Sequence, residues 1–186
     1  MDAKIDEIIE FWFGPVPGEK RDIWLERSNE YDAELRTRFG DVHDRASPGE
    51  CDHWTETPKG IMALIVLLDQ FSRNLYRGDA CAFATDAKAL EIADVAIENG
   101  SDRKFTEAEQ IFFYLPHEHS EDLEIQKRSV NMFSQTKEWG TEYADAHLRI
   151  IERFGRFPHR NAVLGRVNTP EEEEYLAQPR EGFEAG

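Results

Sequence analysis

The chain is predicted to be all-α, and three observations carry that prediction. Apolar residues recur at the three- and four-residue spacing that lines one side of a helix. Ser, Thr and Pro mark starts, and Gly and Pro mark stops, in the gaps between those stretches. No window shows the sustained alternation, rich in valine and threonine, of a half-buried strand. The short connections imply antiparallel neighbours, so the expected architecture is a single domain of antiparallel helix pairs.

Ile5, Ile8, Ile9, Trp12 and Phe13 form one stripe on a first helix that Gly14-Pro15 terminates. A second helix starts after Ser28 and carries Tyr31, Leu35, Phe39, Val42 and Ala46 down one side, until Ser47-Pro48-Gly49 stops it. Thr57-Pro58 is an N-cap and first-turn pair for the next, whose residues 61 to 68 are apolar all round. Such a helix has neighbours on every side, which places it at the centre of the fold. Residues 80 to 99 continue the helical pattern through Leu90, Ala93 and Ile97 to the stop signal Asn99-Gly100.

Thr106 with Glu109 makes a capping box for a helix through Ile111, Phe112 and Leu115, which Pro116 is expected to end. Ser120 is placed to cap the following helix, with Glu121 and Asp122 in its first turn and Leu123, Val130 and Phe133 on its core side. Another helix spans about 141 to 154 on Ala144, Leu148 and Ile151. Thr169-Pro170-Glu171-Glu172 is a second capping box, opening a short acidic helix. Residues 1–186 read as one helical domain, with a core of about 5–176 and a frayed acidic tail at 177–186.

The 38 acidic and 22 basic residues give a formal charge of −16, which repels phosphate backbones and anionic headgroups. Neither nucleic acid nor a membrane is an expected partner. Cys51 and Cys81 have no CxxC spacing and read as reduced thiols. The opening MDAKIDEIIEFWFG mixes charge with apolar residues and reads as a helix, not a signal peptide. The longest apolar run, Ile61 to Leu68, is far short of the roughly 20 residues of a membrane span. A soluble, cytoplasmic protein is expected, and with no GxSxG, Walker or Rossmann motif no cofactor is.

One pattern occurs twice, as DQFSRNLYRG at residues 69 to 78 and ERFGRFPHRN at residues 152 to 161. Both read acid, any residue, Phe, any residue, Arg, then an aromatic or His just before a second Arg. In the first copy Asp69, Arg73 and Arg77 fall at i, i+4 and i+8, on one helix face, in the favourable acid-before-base order. That explains an ion pair, but Phe71, Leu75 and Tyr76 crowd charges that are expensive to keep dry. In the second copy Gly155 and Pro158 break the helix, so Arg156, His159, Arg160 and Asn161 project from an irregular segment. Facing each other, the copies would line one cleft with four guanidiniums, an imidazole and two amides. Arginine's planar fork matches carboxylate or phosphate bidentately. Against this stands simple capping of helix carbonyls by arginine.

His117, Glu118, His119, Ser120, Glu121 and Asp122 follow Pro116, and the first three are expected to be extended, with both imidazoles on one side. Two histidines so placed fit a metal, but no second ligand pair completes the spacing, and no metal is expected. Glu118 and Glu121 instead read as counter-ions for the arginines. His147 lies five residues before Glu152, off its face, and reads as a satisfied histidine.

The strings LIVLLDQFSRNLYRGDACAFATDAKAL, FFYLPHEHSEDLEIQKRSV and HLRIIERFGRFPHRNAVLGR, with the opening IIEFWFGP, resemble a bacterial domain-of-unknown-function family, the one numbered 924. The likeness runs from about residue 5 to 176. It implies an all-α fold of the tetratricopeptide-like superfamily, an αα superhelix, and no established activity. The 34-residue repeat signature is not visible, so any repeats are degenerate.

Three function classes fit these residues. The first is a binding module for an anionic group of a small molecule or peptide, with Arg73, Arg77, Arg156 and Arg160 supplying charge and Asn74, Tyr76, Glu118, Glu121, His159 and Asn161 completing the site. The second is an enzyme using His117, His119 or His159 as general acid or base beside Glu118 or Glu121. The third is a structural, homo-oligomer-forming protein whose charges are all internally paired.

Overall fold

The computed structural model describes residues 2–24, 28–137 and 139–178; most of the expected acidic tail lies outside them. Among the described residues there is no strand. Helix α1 (Ala3–Phe13) is capped by Asp2, and α2 (Asn29–Ala46) by Ser28, whose hydroxyl accepts from the Tyr31 amide at 3.3 Å. Helix α3 (Pro58–Ile65) starts on Thr57 and passes into a π-helical turn, Val66–Phe71, and a short helix α4 (Ser72–Leu75). Then come α5 (Asp86–Glu98), α6 (Glu107–Glu118), α7 (Leu123–Phe133), α8 (Glu142–Phe154) and α9 (Pro170–Leu176). Both expected capping boxes form, at Thr106/Glu109 and Thr169/Glu172.

The apolar run fixes the centre. Leu64, Ile65, Val66, Leu67 and Leu68 are fully buried, and α3 packs against α1, α5 and α6. An aromatic layer joins these elements, with Trp12 5.5 Å from Phe71 and 5.9 Å from Phe112, ring centre to ring centre. Burying each such side chain contributes about 1.5–3 kcal/mol. Helices α5 to α8 then pack in chain order, each on the next. A smaller cluster, Ile150, Ile151 and Phe157 with Phe154 and Tyr175 against it, forms at the far side of α8.

Four local expectations are corrected. Helix α6 does not stop at Pro116 but continues to Glu118. A proline so near a helix end forfeits little hydrogen bonding, and the burial of Phe112, Phe113, Pro116 and His117 favours one more turn. Helix α7 is capped by Asp122, whose carboxylate accepts from the Glu124 and Ile125 amides at 2.9 and 3.0 Å; Ser120 supports that cap by accepting from the Asp122 amide. Residues 80–83 form a 3-10 turn ahead of α5. The central helix also does not stay α-helical through Phe71, so the arginine face counted out from Asp69 ends at Leu75.

Gly60 is required where α3 leaves the preceding turn. A Cβ there would collide with the Trp54 carbonyl oxygen, and neither piece of backbone can yield without unpacking Trp54. Gly60→Ala is therefore expected to cost about 1–3 kcal/mol or more. Gly40→Ala, where a Cβ would meet nothing within 4 Å inside α2, should instead stabilise by up to about 1 kcal/mol through helix propensity. Urea unfolding of the two variants side by side checks the pair; equal effects would mean the contact at Gly60 is not the cause.

Candidate functional site

The chemistry gathers where the central segment meets the smaller cluster. The π-helical turn buries Asp69 completely among apolar neighbours, where an unpaired carboxylate is untenable. Three groups hold it: His119 Nδ1 at 2.8 Å and Arg73 Nη1 at 3.2 Å on Oδ1, and Gln70 Nε2 at 2.6 Å on Oδ2. Burial pushes this carboxyl up, but the charges of Arg73 and His119 and the hydrogen bonds outweigh burial and hold it well below the usual carboxylate range.

Arg73 in turn forks onto Asp86 at the start of α5, with Nη1 at 3.0 Å and Nη2 at 3.2 Å, and also donates to the Asp69 carbonyl at 2.7 Å. Asp86 Oδ2 accepts a second guanidinium as well, from Arg160 Nη1 at 3.3 Å. Arg160 sits in the 3-10 turn Pro158–Arg160 and is only 6% exposed. Its guanidinium carbon lies 4.5 Å from the ring centres of both Phe83 and Phe157. The bond to Asp86 is its only side-chain hydrogen bond among the described residues, and its buried Nε meets no partner. Burial, then the nearby Arg73 charge, lower it to about 10.

Beside this pair of guanidiniums lies a second titratable set. Glu118 Oε1 is 3.3 Å from His147 Nδ1, while the buried Oε2 has no hydrogen-bond partner among the described residues. Burial, reinforced by the charge on Asp69, pushes the Glu118 carboxyl up to about 8, so it is protonated at neutral pH. His147 Nδ1 also lies 2.8 Å from the Tyr143 carbonyl, which fixes the hydrogen on that nitrogen, and burial lowers the ring to about 3. His119 is lowered too, by burial and by Arg73, against the pull of Asp69. Its ring stands 6.3 Å from that of His147.

The residues singled out from the sequence divide into groups. Arg73, Arg160, His119 and Glu118 lie in this cluster, and His159 adjoins it, its ring 5.5 Å from Phe157 and its charge felt by His147. Arg77 and Asn74 turn to Asp32 on α2, at 3.0 and 2.8 Å, and Tyr76 donates to Asp44 at 2.7 Å. Arg156 pairs with Glu172 at 2.7 Å and the Val167 carbonyl, and Asn161 donates to Asn168. It is therefore Arg160, not Arg156, that meets Arg73 on a shared carboxylate. Glu121 pairs with Arg166, outside either motif, and accepts from the Phe157 amide.

His117 and His119 do not share a side. The helix that continues through Pro116 turns them apart, so that His117 meets Asp94 at 2.9 Å, beside Arg128, while His119 meets Asp69. Glu118 is no arginine counter-ion; among the described residues its carboxyl group lies against His147, both groups uncharged at neutral pH. Phe157 lies inside the second motif, but Asp86, Phe83 and His147 were not legible as its neighbours. Only Asp86, an acid opening a helix seventeen residues after Asp69, offered a local signal, and that signal reads as helix-dipole chemistry.

Fold and site define an all-α protein with a buried arginine–carboxylate–histidine cluster, and the comparisons place it. The family model described as bacterial protein of unknown function (DUF924) matches residues 8–180, and the chain belongs to that family. It is similar to the solved structure of a protein of unknown function, ATU0120, from Agrobacterium tumefaciens, at 40% identity and a TM-score of 0.87, covering 95% of this chain and 98% of that one. No curated protein matches the chain. Among the described residues no helix is long and apolar enough to cross a membrane.

Proposed function

We propose that the protein is a binding module for a small anion, held at Arg160 with Arg73 alongside. One observation carries this reading: the buried Arg160 guanidinium, which has five N–H donors, makes a single 3.3 Å hydrogen bond among the described residues. Phe83 and Phe157 both pack on the guanidinium and its Nη1 corner is taken by Asp86, so the unpartnered Nε–H is left to donate to a ligand. Arg73 and Arg160 are already balanced in charge by Asp69 and Asp86. A ligand is thus recognised by the acceptors it brings, which favours a singly charged carboxylate over doubly charged phosphate. The burial of Arg160 and Asp69 fits a small molecule, or the end of a peptide, better than an extended surface.

Acetate and longer monocarboxylates are expected to raise the unfolding temperature of the wild-type protein by binding the native state, and inorganic phosphate to do so less. Arg160→Met should abolish that shift, whereas Arg156→Met, altering an ion pair at α9, should leave it intact. A shift that survives Arg160→Met, or no shift with any of these anions, would mean that Arg160 serves packing alone.

A further inference from the structure

We propose that this anion site is an active site for short 2-oxo carboxylates, in which His119, oriented by Asp69, removes the proton on the carbon beside the keto group. The inference rests on the anion-binding reading and deepens it. Asp69 is ionised and can only accept, so the hydrogen of His119 must sit on Nδ1, which leaves the lone pair on Nε2. That 2.8 Å bond is the only side-chain hydrogen bond His119 makes among the described residues. His43 and His117 are likewise held at one ring nitrogen, but their second nitrogens are buried, whereas the His119 side chain keeps 14% exposure and presents a reachable base. Asp69 is itself immobilised by Arg73 and Gln70, so the tautomer and ring orientation are fixed before any ligand arrives.

The next residue back supplies the complementary acid. Glu118 is buried and protonated, and its Oε2 is unpartnered, so a hydrogen bond is available to an oxygen that gains electron density. A guanidinium for a carboxylate, a carboxylic acid for a keto oxygen and an imidazole base for an acidic C–H are the three groups that enolisation of a 2-oxo acid requires. His119 Nε2 takes the proton from C3, the C–H electron pair becomes the C2–C3 double bond, and the displaced C2–O pair takes the proton of Glu118. Enol, imidazolium and Glu118 carboxylate result. Reversal, after the imidazolium has exchanged with solvent, returns a different proton, and no oxidant or reductant is consumed.

Pyruvate and 2-oxobutanoate in deuterium oxide are the probes, with loss of the C3 proton signal by NMR as the readout and thermal shift as the measure of binding. The wild-type protein is expected to accelerate exchange over buffer. His119→Gln should lower the accelerated rate by about 10²–10⁴-fold while the Arg160-dependent thermal shift persists. Asp69→Asn, which preserves a hydrogen-bonding partner but turns the tautomer over, should likewise lose exchange more than binding, a split that a merely structural role would not give. Binding without exchange in the wild type, or exchange undiminished in His119→Gln, overturns the active-site inference and leaves the anion site standing. Absence of any Arg160-dependent binding by either acid overturns both.

Discussion

Arg73→Met is expected to destabilise the protein by about 3–5 kcal/mol, the largest loss for any single arginine here. The side chain of Asp69 is 1% exposed and would keep His119 and Gln70 but lose its one permanent cation. Asp86 would lose both prongs of a bidentate pair and retain only the 3.3 Å contact to Arg160. Two carboxylates would then share one distant guanidinium in a low-dielectric setting, where each uncompensated charge is costly. Arg77→Met removes a comparable pair with Asp32, but Arg77 is 27% exposed against 13% for Arg73 and no carboxylate as buried as Asp69 depends on it, so the loss should be nearer 1 kcal/mol. Urea titrations of the two variants test the contrast. Equal losses would show that burial of the Asp69–Arg73–Asp86 chain does not govern its contribution.

Glu118→Gln should flatten the alkaline limb of the stability curve. In the folded protein Glu118 titrates at about 8, against an ordinary value of 4.5, so the native state retains a proton that the unfolded chain has lost. Its contribution is complete below pH 4.5 and is lost as pH rises toward 8. His147 runs the other way: at about 3 against 6.5, its contribution is complete above pH 6.5 and is lost as pH falls toward 3. Between pH 4.5 and 6.5 the two slopes cancel, since the folded state has one proton more at Glu118 and one fewer at His147. Above 6.5 only Glu118 remains, and stability should fall by about 2 kcal/mol up to pH 8. The lowered His43, His117 and His119, and the lowered Asp69 and Glu121, all act at or below neutral pH and steepen only the acid side. Unfolding measured at pH 6.5 and 8 decides: a wild-type protein with no decline, or a Gln variant that keeps it, would show that Glu118 is ionised in the native state.

Helix identity was legible because its causes are local. The 61–68 run, the caps at Ser28 and Thr57 and both capping boxes depend on residues within one or two turns, and all of them form. The misreadings at Pro116 and Ser120 arose where local rules compete. Proline's lost hydrogen bond weighs little beside the burial of Phe112, Phe113 and His117, and the stronger carboxylate acceptor of Asp122 displaces the Ser120 hydroxyl from the cap. The repeated arginine motif pointed to Arg73 and Arg160, but it could not separate Arg160 from Arg156 or Arg77. Each guanidinium takes whichever carboxylate the packing of distant helices delivers: Asp86 from α5, Glu172 from α9, Asp32 from α2.

By itself, the sequence determined that this chain is all-helical, which of its segments is central, and that two arginine-bearing segments set charges among aromatic rings. Helical periodicity and capping are short-range, and they are written residue by residue. Only the tertiary structure decided that a π-helical turn carries Asp69 inward, that Asp86 bridges the two motifs, and that Glu118 meets His147 rather than an arginine. Those contacts join residues from 13 to 74 positions apart in the chain. Their energies depend on the burial that the assembled helices impose, a quantity that no local pattern specifies.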